Sequence, residues 1–63
     1  MMQTEIDKLN SEAPAGIKVR KSRTFKASAA IHCAGTTYLV SITEGWQDRV
    51  RSWFSYLTKK YPL

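Results

Sequence analysis

The apolar residues of this chain change their spacing at Thr43, and that change constrains the fold more than any other feature. Between Ile17 and Ile42 they mostly occupy every second position, which is typical of β-strands with one buried face. From Trp46 to Tyr61 they recur every three or four positions, which is typical of an amphipathic helix. The sequence therefore predicts an α+β fold in which small antiparallel strands precede one C-terminal helix.

A tight hairpin is predicted at Ala34-Gly35, between the two longer alternating runs. If these two residues form the whole loop, apolar residues oppose one another on one face of the sheet: Ile31 and Tyr38, Ala29 and Val40, Ala27 and Ile42. A shift of one residue would scatter these pairs. A three-residue loop with a bulge is the alternative, because Ala before Gly is not a favoured pair for a two-residue turn.

A shorter alternation at Ile17 and Val19 can add a strand, so the sheet is predicted to be a meander of two or three strands. We expect one ββ(β)α domain over residues 17–63, since 63 residues have room for only one small core. Residues 1–16 are predicted to be a flexible arm or one short helix capped by Thr4.

The C-terminal helix is predicted to run from Glu44 to Lys60, with Thr43 as its cap and with Glu44 and Asp48 in its first turn. Its apolar stripe consists of Trp46, Val50, Trp53, Phe54, Leu57 and Tyr61. We expect this stripe to pack on the alanine-bearing face of the sheet, where small residues leave room for large ones. The alternative is a basic amphipathic helix that lies in a membrane interface.

The chain is basic, with 10 Lys and Arg against 5 Asp and Glu and a net charge of +5. The alternation places Lys18, Arg20 and Lys26 on the sheet face opposite the helix, and a sheet face can enter the major groove of DNA. A solvated face that protects an edge strand, or a surface for an acidic protein, are the alternatives. The predicted nucleic-acid contacts are Lys18, Arg20, Lys21, Arg23 and Lys26, with Arg49 and Lys60 on the helix as secondary contacts.

No enzymatic activity, metal site or cofactor is predicted. His32 and Cys33 are neighbours in a strand and point to opposite faces, so they cannot form a metal site or a catalytic pair together. Cys33 is the only cysteine, which is typical of a reducing compartment and predicts a cytoplasmic protein. No apolar run approaches the roughly 20 residues that span a bilayer.

The order of elements over residues 17–61 resembles the small DNA-binding domains of some plant transcription regulators and the arm-binding regions of some tyrosine recombinases. This resemblance implies a sheet face docked in the major groove. The same order also resembles the sheet-plus-helix inhibitors that phages make against host enzymes. That second resemblance implies an antagonist or adaptor, encoded by a phage or another mobile element, that binds a host defence, restriction or polymerase component. An exposed strand edge would allow a homodimer.

Overall fold

The computed structural model describes residues 2–24 and 27–62, and it has the predicted α+β architecture. One sheet has the order β1-β2-β3, and both neighbouring pairs are antiparallel. Helix α1 begins at Met2, ahead of the predicted cap at Thr4. The elements are α1 (Met2–Glu12), β1 (Ile17–Lys21), β2 (Ser28–Cys33), β3 (Thr36–Ser41) and α2 (Trp46–Lys60).

The hairpin has the predicted register. Ile31 pairs with Tyr38 and Ala29 pairs with Val40. Ala34 and Gly35 have φ angles of 53° and 77°, and two positive φ values are what a two-residue type I′ loop requires. The loop therefore contains no bulge. Ala34 holds a left-handed conformation that costs a residue with a Cβ atom about 1–2 kcal/mol.

The core lies between the sheet and two helices that pack on the same face of it. The α2 stripe covers this face, which confirms that α2 is a core helix. Tyr61, at the end of the stripe, is 36% exposed. Within residues 2–24 and 27–62, the helices lack the length and apolar character needed to cross a membrane. The cluster of buried residues comprises Ile6, Leu9, Ile17, Val19, Ala29, Ile31, Cys33, Val40, Trp46, Val50, Phe54 and Leu57.

The start of α2 differs from the prediction. The helix begins at Trp46, and its N-cap is Gly45 with a φ of 79° and no side-chain cap. Thr43 lies two residues before the N-cap, and its hydroxyl accepts a hydrogen bond from Arg49. The same guanidinium donates to the carbonyls of Ser41 and Glu44, each at 3.1 Å. Arg49 therefore organises the β3–α2 loop, and Glu44 lies before the helix rather than in its first turn.

Helix α1 closes the outer edge of β1. The side-chain amide of Asn10 donates to the Val19 carbonyl at 2.7 Å, and its oxygen accepts from the Val19 N–H at 2.8 Å. The amide thus takes the place of a neighbouring strand. At the start of β1, the Ile17 N–H donates to the Pro14 carbonyl at 3.2 Å. The N-terminal segment consequently packs as part of the domain.

Candidate nucleic-acid interface

The net charge of the protein comes from the segment of the sequence that contains the three strands. The segment from Ile17 to Ser41 carries five Lys and Arg and no Asp or Glu, whereas the rest of the chain carries five bases and five acids. Since both helices pack on one face of the sheet, the acids lie in the helical layer or next to it. This separation gives the sheet a positive field and leaves the helical layer nearly neutral.

The sheet face opposite the helices, here called the open face, presents rows of side chains across the strands. Lys18, His32 and Thr37 stand in one row. Arg20, Ala30 and Leu39 stand in the next row. Leu39 is 47% exposed, and both bases are exposed on β1. The open face therefore carries cations along β1, whereas β3 contributes the polar Thr37 and the apolar Leu39.

A chain of hydrogen bonds crosses all three strands of the open face. The Nε of Arg20 donates to Nε2 of His32 at 2.9 Å. A guanidinium can only donate, so His32 must accept on Nε2 and carry its proton on Nδ1. The Nδ1–H group then donates to the hydroxyl oxygen of Thr37, with 2.9 Å between Nδ1 and the oxygen. The chain fixes the Arg20 side chain over the sheet, and among residues 2–24 and 27–62 no acceptor is bonded to its two terminal nitrogens, whose donors can bind an anion.

A cavity of about 350 Å³ opens on this face between the strands and the β1–β2 loop. Its cationic lining comes from Arg20, Lys21 and Arg23. Ser22 and Thr24 contribute polar groups from the loop, while the apolar lining comes from Ala30 and Leu39. Phosphate oxygens are commonly bound by this combination of Arg, Lys and hydroxyl groups. The cavity therefore has the chemistry of an anion site.

The structure brings together only part of the predicted contact set. Lys18, Arg20, Lys21 and Arg23 lie on the open face or around its cavity, and Lys26 lies outside the described residues. Arg49 and Lys60 are on α2, in the other layer. The guanidinium of Arg49 is bonded within the β3–α2 loop, and the Lys60 ammonium lies over the Tyr56 and Tyr61 rings at 5.8 and 5.6 Å.

His32 and Cys33 lie on opposite faces of β2, as their adjacency predicts. His32 is half-buried within the open face, and Cys33 is buried in the core. Across residues 2–24 and 27–62, there is no group of three or more His, Cys, Asp or Glu side chains that could hold a metal ion.

The acids of the helical layer are partly neutralised there. Arg51 of α2 donates to Glu12 of α1 at 2.8 Å and to Asp48 at 3.1 Å. The hydrogen bond from Arg51 lowers the pKa of Glu12 below its ordinary value, and it raises the pKa of Arg51 itself. These contacts tie the two helices together and keep Glu12 away from the open face.

Two features of the site were absent from the sequence analysis, the Arg20–His32–Thr37 chain and the closure of β1 by Asn10. The hairpin register alone places His32 opposite Thr37, so half of that chain could have been found. Comparison with known proteins gives no match: no family model, no curated protein and no solved structure resembles this chain at a significant level. The resemblances in element order therefore gain no support from these comparisons.

Proposed function

We propose that this protein is a non-enzymatic nucleic-acid-binding protein that docks its open face on the phosphate backbone of duplex DNA. The observation that carries the proposal is the confinement of the net positive charge to the segment from Ile17 to Ser41, with Lys18, Arg20 and Arg23 on or beside one face of the sheet. Lys21 lines the open-face cavity together with Arg20 and Arg23. Arg49 and Lys60 are not part of the proposed contact surface, because they lie in the other layer.

The size of the sheet fits this docking mode. Neighbouring strands are about 4.8 Å apart, so β1 and β3 are separated by about 10 Å. The major groove is about 12 Å wide. With the sheet in the groove, the cations along β1 reach one phosphate backbone. His32 on the central strand then lies nearest the base edges, and Thr37 and Leu39 lie toward the opposite backbone.

The test is a titration of fluorescein-labelled duplex and single-stranded oligonucleotides at two salt concentrations. The variant Lys18→Gln/Arg23→Gln removes two charges from the open face, and the matched control Lys8→Gln/Lys59→Gln removes two from the helices. Each phosphate contact contributes about −0.9 to the log–log salt slope on duplex DNA. We therefore expect the first variant to bind more weakly and to flatten the slope by nearly two, while the control keeps its slope.

Equal losses in the two double variants would show that only net charge matters, and that result would refute a defined interface. A salt-independent affinity would refute it as well. Tighter binding to the single strand would replace the major-groove mode with backbone binding of an unpaired strand. Absence of binding to either oligonucleotide would favour the alternative function, an antagonist or adaptor that binds a host protein.

A further inference from the structure

The two edges of the sheet are treated differently by the fold. The β1 edge is closed by the side chain of Asn10, and the Ile17 N–H at its start is bonded to the Pro14 carbonyl. The β3 edge has the sequence TTYLVS, without the charged residues or proline that protect edge strands in other proteins. Thr37 and Leu39 are both exposed there. This asymmetry indicates that β3 is the edge available for pairing.

The hairpin geometry determines which backbone groups face this edge. In a two-residue loop the flanking pair Cys33 and Thr36 is hydrogen-bonded, and bonded and non-bonded pairs then alternate along the ladder. The bond from the Ile42 N–H to the Ala27 carbonyl, at 2.7 Å, continues the same alternation. The N–H and C=O groups of Thr37 and Leu39 therefore point away from β2. Further along the edge, the Ser41 carbonyl accepts from Arg49.

An aromatic groove runs beside this edge on the helical side. Helix α2 turns Gln47 and Arg51 toward α1, where they bond to Glu5 and Glu12. Its opposite flank faces β3, with Trp53 stacked on Tyr38 at 4.8 Å between ring centroids. Trp53 and Tyr56 make a T-shaped contact, with their ring centroids 5.5 Å apart. A groove of about 320 Å³ is lined by Arg49, Ser52, Trp53 and Tyr56.

Cations stand at both ends of this groove. Arg49 is next to Ser41 at one end of β3. Lys60 is next to Tyr61, and the nearby Tyr61 hydroxyl raises the pKa of the Tyr38 phenol. The phenol of Tyr56 raises the pKa of Lys60, so its ammonium stays charged at neutral pH. A ligand of this groove should therefore be apolar in the middle and acidic at both ends.

We infer that the β3 edge binds an extended acidic peptide of a partner protein, which adds a fourth strand to the sheet. Backbone groups of the peptide pair with Thr37 and Leu39, as in other strand-addition complexes. Its alternate side chains face α2, so an apolar residue enters the Trp53–Tyr56 groove between two acids. The eleven-residue separation of Arg49 and Lys60 spans about 16 Å of helix, and four strand residues span about 13 Å.

The inference is tested with an acetylated, fluorescein-labelled peptide, Thr-Asp-Thr-Phe-Thr-Glu-Thr, whose Asp, Phe and Glu fall on one face of a strand. We expect saturable binding with a Kd below about 1 mM by fluorescence anisotropy. In NMR spectra of the protein, the amides of Thr37 and Leu39 should become protected from exchange. A peptide with Lys in place of both acids, and one with Ser in place of Phe, should each bind at least about tenfold more weakly.

The matched variants are Thr37→Pro and Thr37→Val. Both remove the hydroxyl bonded to His32, but only proline removes the outward N–H, and the ladder to β2 does not use that group. We expect Thr37→Pro to lose at least about tenfold in peptide affinity, while Thr37→Val binds as the parent protein does. Affinity for DNA should be the same in the two variants, so failure of this inference is distinguishable from failure of the nucleic-acid proposal.

Several results would overturn the inference. Unchanged peptide binding by Thr37→Pro would exclude strand addition, and equal binding of the lysine peptide would exclude recognition by charge. A lack of saturation at about 1 mM peptide would exclude the site. Sedimentation equilibrium without peptide provides the last test: a dimer that Thr37→Pro dissociates would show that a second copy of the chain occupies β3.

Discussion

Replacement of Asn10 should destabilise the protein out of proportion to the size of the change. Its amide makes two partly buried hydrogen bonds to Val19, and each such bond contributes about 1 kcal/mol to stability. Asn10→Ala should therefore lower the free energy of unfolding by about 2 kcal/mol. A domain of this size has only about 3–9 kcal/mol in total, and its Tm should fall by about 8–16 °C.

Asn10→Asp separates the two bonds. The carboxylate keeps an acceptor for the Val19 N–H, but its second oxygen faces the Val19 carbonyl, which lies 2.7 Å from the native amide nitrogen. Two acceptors repel, so at neutral pH this variant should be no more stable than Asn10→Ala. Protonation supplies an O–H donor and raises the folded-state pKa of the new carboxyl. The advantage of Asn10→Asp over Asn10→Ala should therefore appear as pH falls and vanish as pH rises through that pKa.

The assay is urea unfolding followed by tryptophan fluorescence, because Trp46 is buried in the core. Ser11→Ala is the control, since Ser11 is exposed and its hydroxyl bonds only locally, to the Lys8 carbonyl at 2.6 Å. It should change stability by less than about 0.5 kcal/mol. If Asn10→Ala falls within the same limit, the amide does not close the β1 edge in solution. A constant difference between the two Asn10 variants across pH would refute the donor argument.

Three further predictions follow from the packing, the loop and the ion pair. Leu57 is fully buried, so Leu57→Ala should cost about 2–5 kcal/mol in urea unfolding; a smaller loss would mean that α2 is loosely packed. Ala34→Asn should raise stability by about 0.5–1 kcal/mol in the same assay, because Asn tolerates the left-handed conformation; destabilisation would exclude the type I′ loop. Arg51 lowers the pKa of Glu12 in the folded protein. The stabilisation by this ion pair is therefore present above the pKa that Glu12 has in the unfolded chain, and it is lost as pH falls through the lower pKa of the folded state. Glu12→Gln should flatten the acid limb of a stability–pH curve below about pH 4.5, and an unchanged limb would contradict the pairing.

Strand pairing and core were predictable because the side-chain period of a strand ties register to burial. Ala29, Ile31 and Val40 reach the core together only in the observed register. The helix start was not predictable in the same way. Thr43 has the usual chemistry of a cap, but Arg49 takes its hydroxyl, and a left-handed Gly45 moves the first turn to Trp46. Such competition depends on three-dimensional contacts that periodicity does not encode.

The open face was also only partly predictable from the sequence. Alternation alone places Lys18 and Arg20 opposite the core. It does not show that Arg20 is held by His32, because that bond is diagonal and connects neighbouring rows. Nor does it show that Arg49 and Lys60 lie on the flank of α2 that faces β3, since that depends on which side of α2 packs against α1. Sequence patterns therefore identified the face, and packing determined which bases belong to it.

The two proposed surfaces share β3, and this shared strand gives them a defined relation. The backbone of Thr37 faces the edge, while its hydroxyl belongs to the open face through His32. A strand added at the edge lengthens each row of the open face by one residue, so the outward side chains of the peptide lie beside Thr37 and Leu39. Threonines there would leave the proposed phosphate site intact, whereas acids there would repel phosphates from Arg20. Because binding linkage is reciprocal, we expect the outward residues of a partner peptide to determine whether DNA and peptide bind together or exclude each other.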